Sequence, residues 1–114
     1  MKTKFLFLTA IVAVLFLASC SKEDEPTPVV VKTTYNKDIK PILLAKCTPC
    51  HLAGGANPNK WDDFTSAKGK IDVIIDRINR EATATGFMPR NGAKLPAAEL
   101  ALIAKWKADG LLEN

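Results

Sequence analysis

Two cysteines three positions apart, with a histidine directly after the second, constrain this chain more than any other feature: Cys47-Thr48-Pro49-Cys50-His51. The pattern C-x-x-C-H is the attachment signature of c-type haem. One turn of backbone lets the two sulfurs reach the two vinyl groups on one porphyrin edge, and the next residue then stands under the iron. In that chemistry Cys47 and Cys50 form thioethers and His51 supplies the proximal nitrogen, while Thr48 and Pro49 are spacers.

Two other uses of paired cysteines compete with this reading. A tetrahedral zinc site needs four ligands, but outside the pentapeptide the chain has no other histidine and one other cysteine, Cys20. A redox dithiol normally opens a helix after a strand in a βαβ setting, and no such alternation surrounds Cys47 and Cys50. A haem-free thiol-disulfide protein therefore stays open as the lesser alternative. On the pentapeptide, the chain resembles the monohaem cytochromes c.

Size limits the rest. Removal of a 19-residue leader leaves 95 of the 114 residues, enough for one small domain with a thin core. A covalently held haem with two axial bonds would be a large staple for such a core. The sole histidine excludes a second C-x-x-C-H haem, a bis-histidine haem and a histidine-rich catalytic metal centre within one chain. Without Lys2 and Lys4, the 16 basic residues become 14 against 12 acidic, a balance of +2. That is no nucleic-acid footprint, and two haem propionates would offset it.

The N-terminus has its own logic. Lys2 and Lys4 precede an apolar run over residues 5–18, which is signal-peptide anatomy and shorter than the ~20 residues of a membrane-spanning helix. Leu17-Ala18-Ser19-Cys20 resembles a bacterial lipobox, which implies cleavage after residue 19 and lipidation of Cys20. Several buried acyl chains, at about 0.8 kcal/mol per methylene, would hold the protein on its membrane. Residues 21–28 read as a polar, proline-bearing linker, and residues 21–34 fully extended would span roughly 45 Å. Glu23-Asp24-Glu25 is open to two readings, a surface-export signal of some outer-membrane lipoproteins or a solvated charge run. Val29-Val30-Val31 are expected to be the first residues to touch the folded domain.

Residues 35–114 form the predicted haem domain. From Asn36, a candidate N-cap, Ile39, Ile42 and Leu43 share one helical face, and Pro41 argues for a late helix start. This helix delivers Cys47. Residues 52–59 predict a loop on the proximal side. A ligating imidazole needs a partner for its other nitrogen, and a backbone carbonyl from this loop is suited to accept it. In the cytochromes c a proline near this position does so, with Pro58 as the matching candidate here. Trp61 and Phe64 are expected to wall the haem pocket.

Ile71, Ile74, Ile75 and Ile78 predict a helix over about residues 70–81, with Asp72, Asp76, Arg77 and Arg80 on its other face. Residues 83–92 then break regularity and hold Met88, the one methionine left after removal of the leader. A Gly-x-Met-Pro loop C-terminal to C-x-x-C-H resembles the distal-ligand loop of the monohaem cytochromes c, and the proline disfavours a helical turn at the methionine. The resemblance implies Met88 as sixth ligand. The family often has a second proline where this chain has Arg90, a departure that bears on loop stiffness or a propionate contact. Pro96 at N1 and Glu99 in the first turn start a last helix; Leu100, Ile103 and Trp106 line one face and Gly110 stops it. In the family the last helix packs across the first, and Trp106 is the expected knob.

The resemblance covers residues 35–112. It implies an all-α, small cytochrome c fold, three to five helices wrapped around one covalently attached haem, with His51 and Met88 on the iron. It implies one-electron transfer rather than enzymatic catalysis, since no axial position is left for a substrate. Redox proteins would be the partners, a quinol-oxidising complex, a terminal oxidase or other cytochromes, in the bacterial cell envelope. The alternative of another class is a haem-based sensor or peroxidase-like enzyme with a displaceable Met88.

Overall fold

Apolar spacing asks for a helix around Ile39 and Leu43, and Pro41 decides how it can begin. A proline has no N–H to give the carbonyl four residues back, and its ring crowds that carbonyl. The computed structural model describes residues 29–114. In it the chain first makes one wide turn over Tyr35–Ile39, with the Lys40 N–H bonded to the Tyr35 carbonyl five residues back. Helix α1 (Lys40–Lys46) then takes the ordinary pitch, with Pro41 in its first turn. Asn36 is not the N-cap: it sits inside the wide turn, where its amide reaches Asn114. The Thr34 N–H is held instead by the Asp38 carboxylate, at 2.8 Å.

Helix α2 (Phe64–Gly69) goes beyond the sequence expectation. Its signal is a cap rather than an apolar stripe. The Asp63 carboxylate accepts the Ser66 N–H at 2.7 Å, and that bond holds the Asp63 carboxyl below its ordinary range. After Lys70 alone comes α3 (Ile71–Asn79). Ile71, Ile74 and Ile78 are buried and Ile75 half-buried, as their period requires. The helix ends two residues before 81 because Arg80 turns to extended backbone, ψ 160°.

Helix α4 (Ala97–Ala108) has Pro96 one residue outside it, at the N-cap rather than at N1, and Glu99 in its first turn. It ends in a pair of closing bonds. The Gly110 N–H reaches the Lys107 carbonyl at 3.2 Å and the Leu111 N–H the Trp106 carbonyl at 3.0 Å. That closure needs a left-handed residue after the helix, which Gly110 supplies with φ 99°.

Tyr35, Ile39, Leu43, Ile103 and Trp106 are the largest fully buried side chains. The Tyr35 ring lies 5.5 Å from Phe64 and 5.7 Å from Trp106, so the wide turn, α2 and α4 share one aromatic centre. Lys46 at the end of α1 pairs with Glu99 in the first turn of α4 at 3.7 Å. Tyr35 meets Trp106 at the opposite end, so the first and last helices run antiparallel. The C-terminal tail closes the bundle: the Trp106 indole N–H and the Tyr35 N–H both reach the Leu112 carbonyl, each at 2.8 Å. The Thr34–Leu112 bridge is the sole extended pairing among the described residues. The architecture is all-α, with four α-helices there.

Val29, Val30 and Val31 keep their side chains in solvent, and the first contact is through backbone, the Val31 carbonyl accepting from the Lys105 ammonium at 3.2 Å. The three valines are 87%, 75% and 69% exposed, and Thr33 is the first buried residue. The reason is polar: the Thr33 N–H finds the Asp109 carboxylate at 2.6 Å, while the valines find no apolar partner. Cys20 and Glu23-Asp24-Glu25, with the expected leader over residues 1–19, lie outside the described residues. Among the described residues no helix is long and apolar enough to cross a membrane.

Candidate functional site

The site begins where α1 ends. Cys47 caps the helix, its N–H on the Leu43 carbonyl at 2.9 Å, and the His51 N–H returns to the Cys47 carbonyl at 3.1 Å. The pentapeptide is thus coiled into a single turn that brings Cys47, Cys50 and His51 to one place. Gly55 packs directly on it, since a Cβ there would overlap the carbonyls of Pro49 and Cys50. The Asn57 N–H also reaches the Cys50 carbonyl, at 3.0 Å.

His51 is 9% exposed, and its ring is fixed from two sides. Nδ1 lies 2.9 Å from the Asn59 carbonyl. A carbonyl can only accept, so Nδ1 is the donor of this bond, and Nε2 is the ring nitrogen left for another partner. The acceptor is Asn59 rather than Pro58. The Trp61 ring stacks on the imidazole, with centroids 4.8 Å apart and planes 14° from parallel. Trp61 is held in turn through its backbone: its N–H reaches the His51 carbonyl at 2.7 Å, and its carbonyl accepts the buried Tyr35 hydroxyl at 2.6 Å. Burial, with the charges of Asp62, Asp63 and Glu113 behind it, pushes the Tyr35 phenol up to about 12, so it stays a donor.

Met88 comes to the site from a separate segment. Its loop follows α3 and is pinned by the Met88 N–H on the Arg77 carbonyl at 3.2 Å. Cys47, Cys50, His51 and Met88 all line one cleft of about 460 Å³. Trp61, Val73, Ile74 and Ile78 supply apolar wall, and Lys46, Arg77 and Arg90 line the same cleft without any carboxylate. Phe64 is not part of this wall; its register on α2 turns it to Tyr35 and Trp106 instead.

The two thiols are free and unlike each other. Cys47 is half-buried, and burial pushes its thiol up to about 11, while Cys50 is exposed. A reactive dithiol ordinarily keeps its attacking cysteine at a helix N-terminus, where the dipole favours the thiolate. Cys47 stands at a C-terminus, against that dipole. Among the described residues no group of three or more His, Cys, Asp or Glu side chains could hold a bare metal ion.

A flat apolar macrocycle bearing two carboxylates suits this cleft on each count. Its volume lies in the roughly 300–1,000 Å³ range of cofactor sites, its walls are apolar, its charged lining is basic, and one imidazole nitrogen is free. Sequence reasoning did not single out Asn59, because any residue carries a carbonyl. By its spacing Arg77 falls on the polar face of its helix, and nothing in the sequence marks it as lining the cleft. No family model, curated protein or solved structure matches this chain.

Proposed function

We propose that this chain is a one-electron carrier, a monohaem cytochrome c with His51 and Met88 as axial ligands and Cys47 and Cys50 as thioether anchors. The carrying observation is convergence: a histidine whose Nδ1 is engaged by the Asn59 carbonyl and a methionine 37 positions later line the same cleft as both cysteines. The bound haem would supply a reversible ferrous/ferric couple. The chain's own residues do the rest. Asn59 and Trp61 hold the imidazole in one plane through its Nδ1 and its ring face, which leaves Nε2 as the nitrogen for the iron. Val73, Ile74, Ile78 and Trp61 exclude water, and Lys46, Arg77 and Arg90 offset negative charge at the cleft.

With His51 and Met88 both available to hold the iron, neither oxidation state would need a bond to form or break, which would favour transfer over catalysis. Lipidation at Cys20 would keep the carrier on a bacterial envelope membrane, within reach of redox proteins such as a quinol-oxidising complex, a terminal oxidase or another cytochrome. The thiol-disulfide alternative is opposed by the helix C-terminal position and raised thiol of Cys47. The test is an optical spectrum of the protein matured in a host able to attach haem, with a pyridine assay for haem type. A c-type spectrum that survives acid extraction is expected. A protein that matures without covalent haem would overturn the proposal.

A further inference from the structure

Helix α3 does more than wall the cleft. Arg77 and Arg80, one turn apart, both point their guanidinium groups at the loop that carries Met88. The Arg77 Nη1 donates to the Gly86 carbonyl at 3.1 Å, and the Arg80 Nη1 donates to the Thr85 carbonyl at 2.6 Å. The Arg77 backbone carbonyl takes the Met88 N–H itself, at 3.2 Å. Three bonds therefore tie three of four consecutive loop residues to the last turn of α3 and the residue that ends it. Asp76 between the arginines orients them, 2.6 Å from Arg80 Nη2 and 3.8 Å from Arg77 Nε. Gly86 makes the approach possible: its φ is 79°, and a Cβ there would overlap the Arg77 guanidinium and come 2.7 Å from Arg80 Nη1.

We infer that Arg77 and Arg80 are positioning residues that hold Met88 over the cleft, so that their hydrogen bonds to Gly86 and Thr85 set how readily the methionine gives up its place to another ligand. The inference rests on the His51/Met88 reading above. The loop has few other restraints: residues 81–85 are exposed, and Phe87 is its buried anchor. Detaching a carbonyl from a guanidinium frees the loop to swing without disturbing the aromatic centre around Tyr35, which Arg77 does not touch. The carrier would thus be kept closed by a latch on its distal side, separate from the Asn59 and Trp61 contacts that fix the proximal ligand.

The test uses the haem-loaded protein and imidazole as probe, read by loss of the far-red charge-transfer band of methionine-ligated ferric haem. Arg77→Gln should bind imidazole roughly fivefold more tightly than wild type, and Arg77→Gln with Arg80→Gln more tightly still. The factor is small for hydrogen bonds to a charged group because the Arg77 side chain is 41% exposed. Gly86→Ala should act in the same direction with both charges intact. Arg77→Lys, which keeps one donor, should fall between wild type and Arg77→Gln. The thermal midpoint of the Arg77→Lys protein should stay close to wild type, which separates loosened ligation from general damage, whereas Gly86→Ala should lower it because φ 79° disfavours a side chain there. Equal imidazole affinity in wild type, Arg77→Gln and Gly86→Ala, with the band present in all three, would overturn the latch and leave His51/Met88 ligation standing. Absence of the band from the wild type would instead remove the ligation reading itself.

Discussion

Replacing Cys47 and Cys50 together by alanine asks what the cleft costs when nothing is bound covalently in it. A cavity in a closed core destabilises by roughly 24 cal/mol per Å³. For about 460 Å³ this gives about 11 kcal/mol, an upper bound because water can enter an open cleft. The 86 described residues, at roughly 0.05–0.15 kcal/mol each, would have a total stability of about 4–13 kcal/mol. The two quantities are the same size. Half the cavity cost, about 5.5 kcal/mol, would bring a domain in the lower part of that range to its unfolding midpoint, and the small fully buried cluster at Tyr35, Ile39, Leu43, Ile103 and Trp106 places this one there. The Cys47→Ala/Cys50→Ala protein should therefore lose most of its far-UV helical signal at 25 °C, and haem-loaded wild type should melt cooperatively in urea. A double variant with native ellipticity and a cooperative urea transition would refute the reasoning, for then the aromatic cluster alone would suffice.

Three more outcomes are expected. Met88→Ala should keep its haem but bind carbon monoxide in the ferrous state roughly 10- to 1,000-fold more tightly than wild type, the range that corresponds to an open form at 10–0.1% of molecules; a wild type that already binds it readily would favour the sensor or peroxidase-like alternative. Tyr35→Phe should cost about 1 kcal/mol through the lost bond to the Trp61 carbonyl. Because the folded phenol is raised from 10.0 to about 12, Tyr35 contributes stability that is intact below pH 10 and is lost as pH rises toward 12. Thermal midpoints between pH 8 and 11 should thus fall less steeply for Tyr35→Phe than for wild type. Cys20→Ala should move the protein out of the detergent phase of a partition assay, and unchanged partitioning would count against a lipid anchor there.

What the sequence determined by itself is local. The Cys47-to-His51 spacing keeps three candidate side chains within five residues, near enough to share the turn that the His51 N–H closes on the Cys47 carbonyl. The isoleucine period made α3 legible, and Glu99 and Gly110 bracketed α4, since burial of one stripe and closure of a helix end depend on neighbours three to six residues away. Met88 stood out because Pro89 follows it, which bears on its backbone and not on where its thioether goes.

Tertiary structure decided the partners. Phe64 was expected in the pocket and instead joins Tyr35 and Trp106, because the Asp63 cap starts a helix whose register turns that ring into the aromatic centre. The imidazole found Asn59 rather than Pro58, and the Met88 loop found Arg77 and Arg80, through backbone carbonyls. Every residue has a carbonyl, so no residue type marks the acceptor. Only the path of the folded chain, set by Gly55 against the pentapeptide and Gly86 against α3, brings the right one within 3 Å or so of its donor.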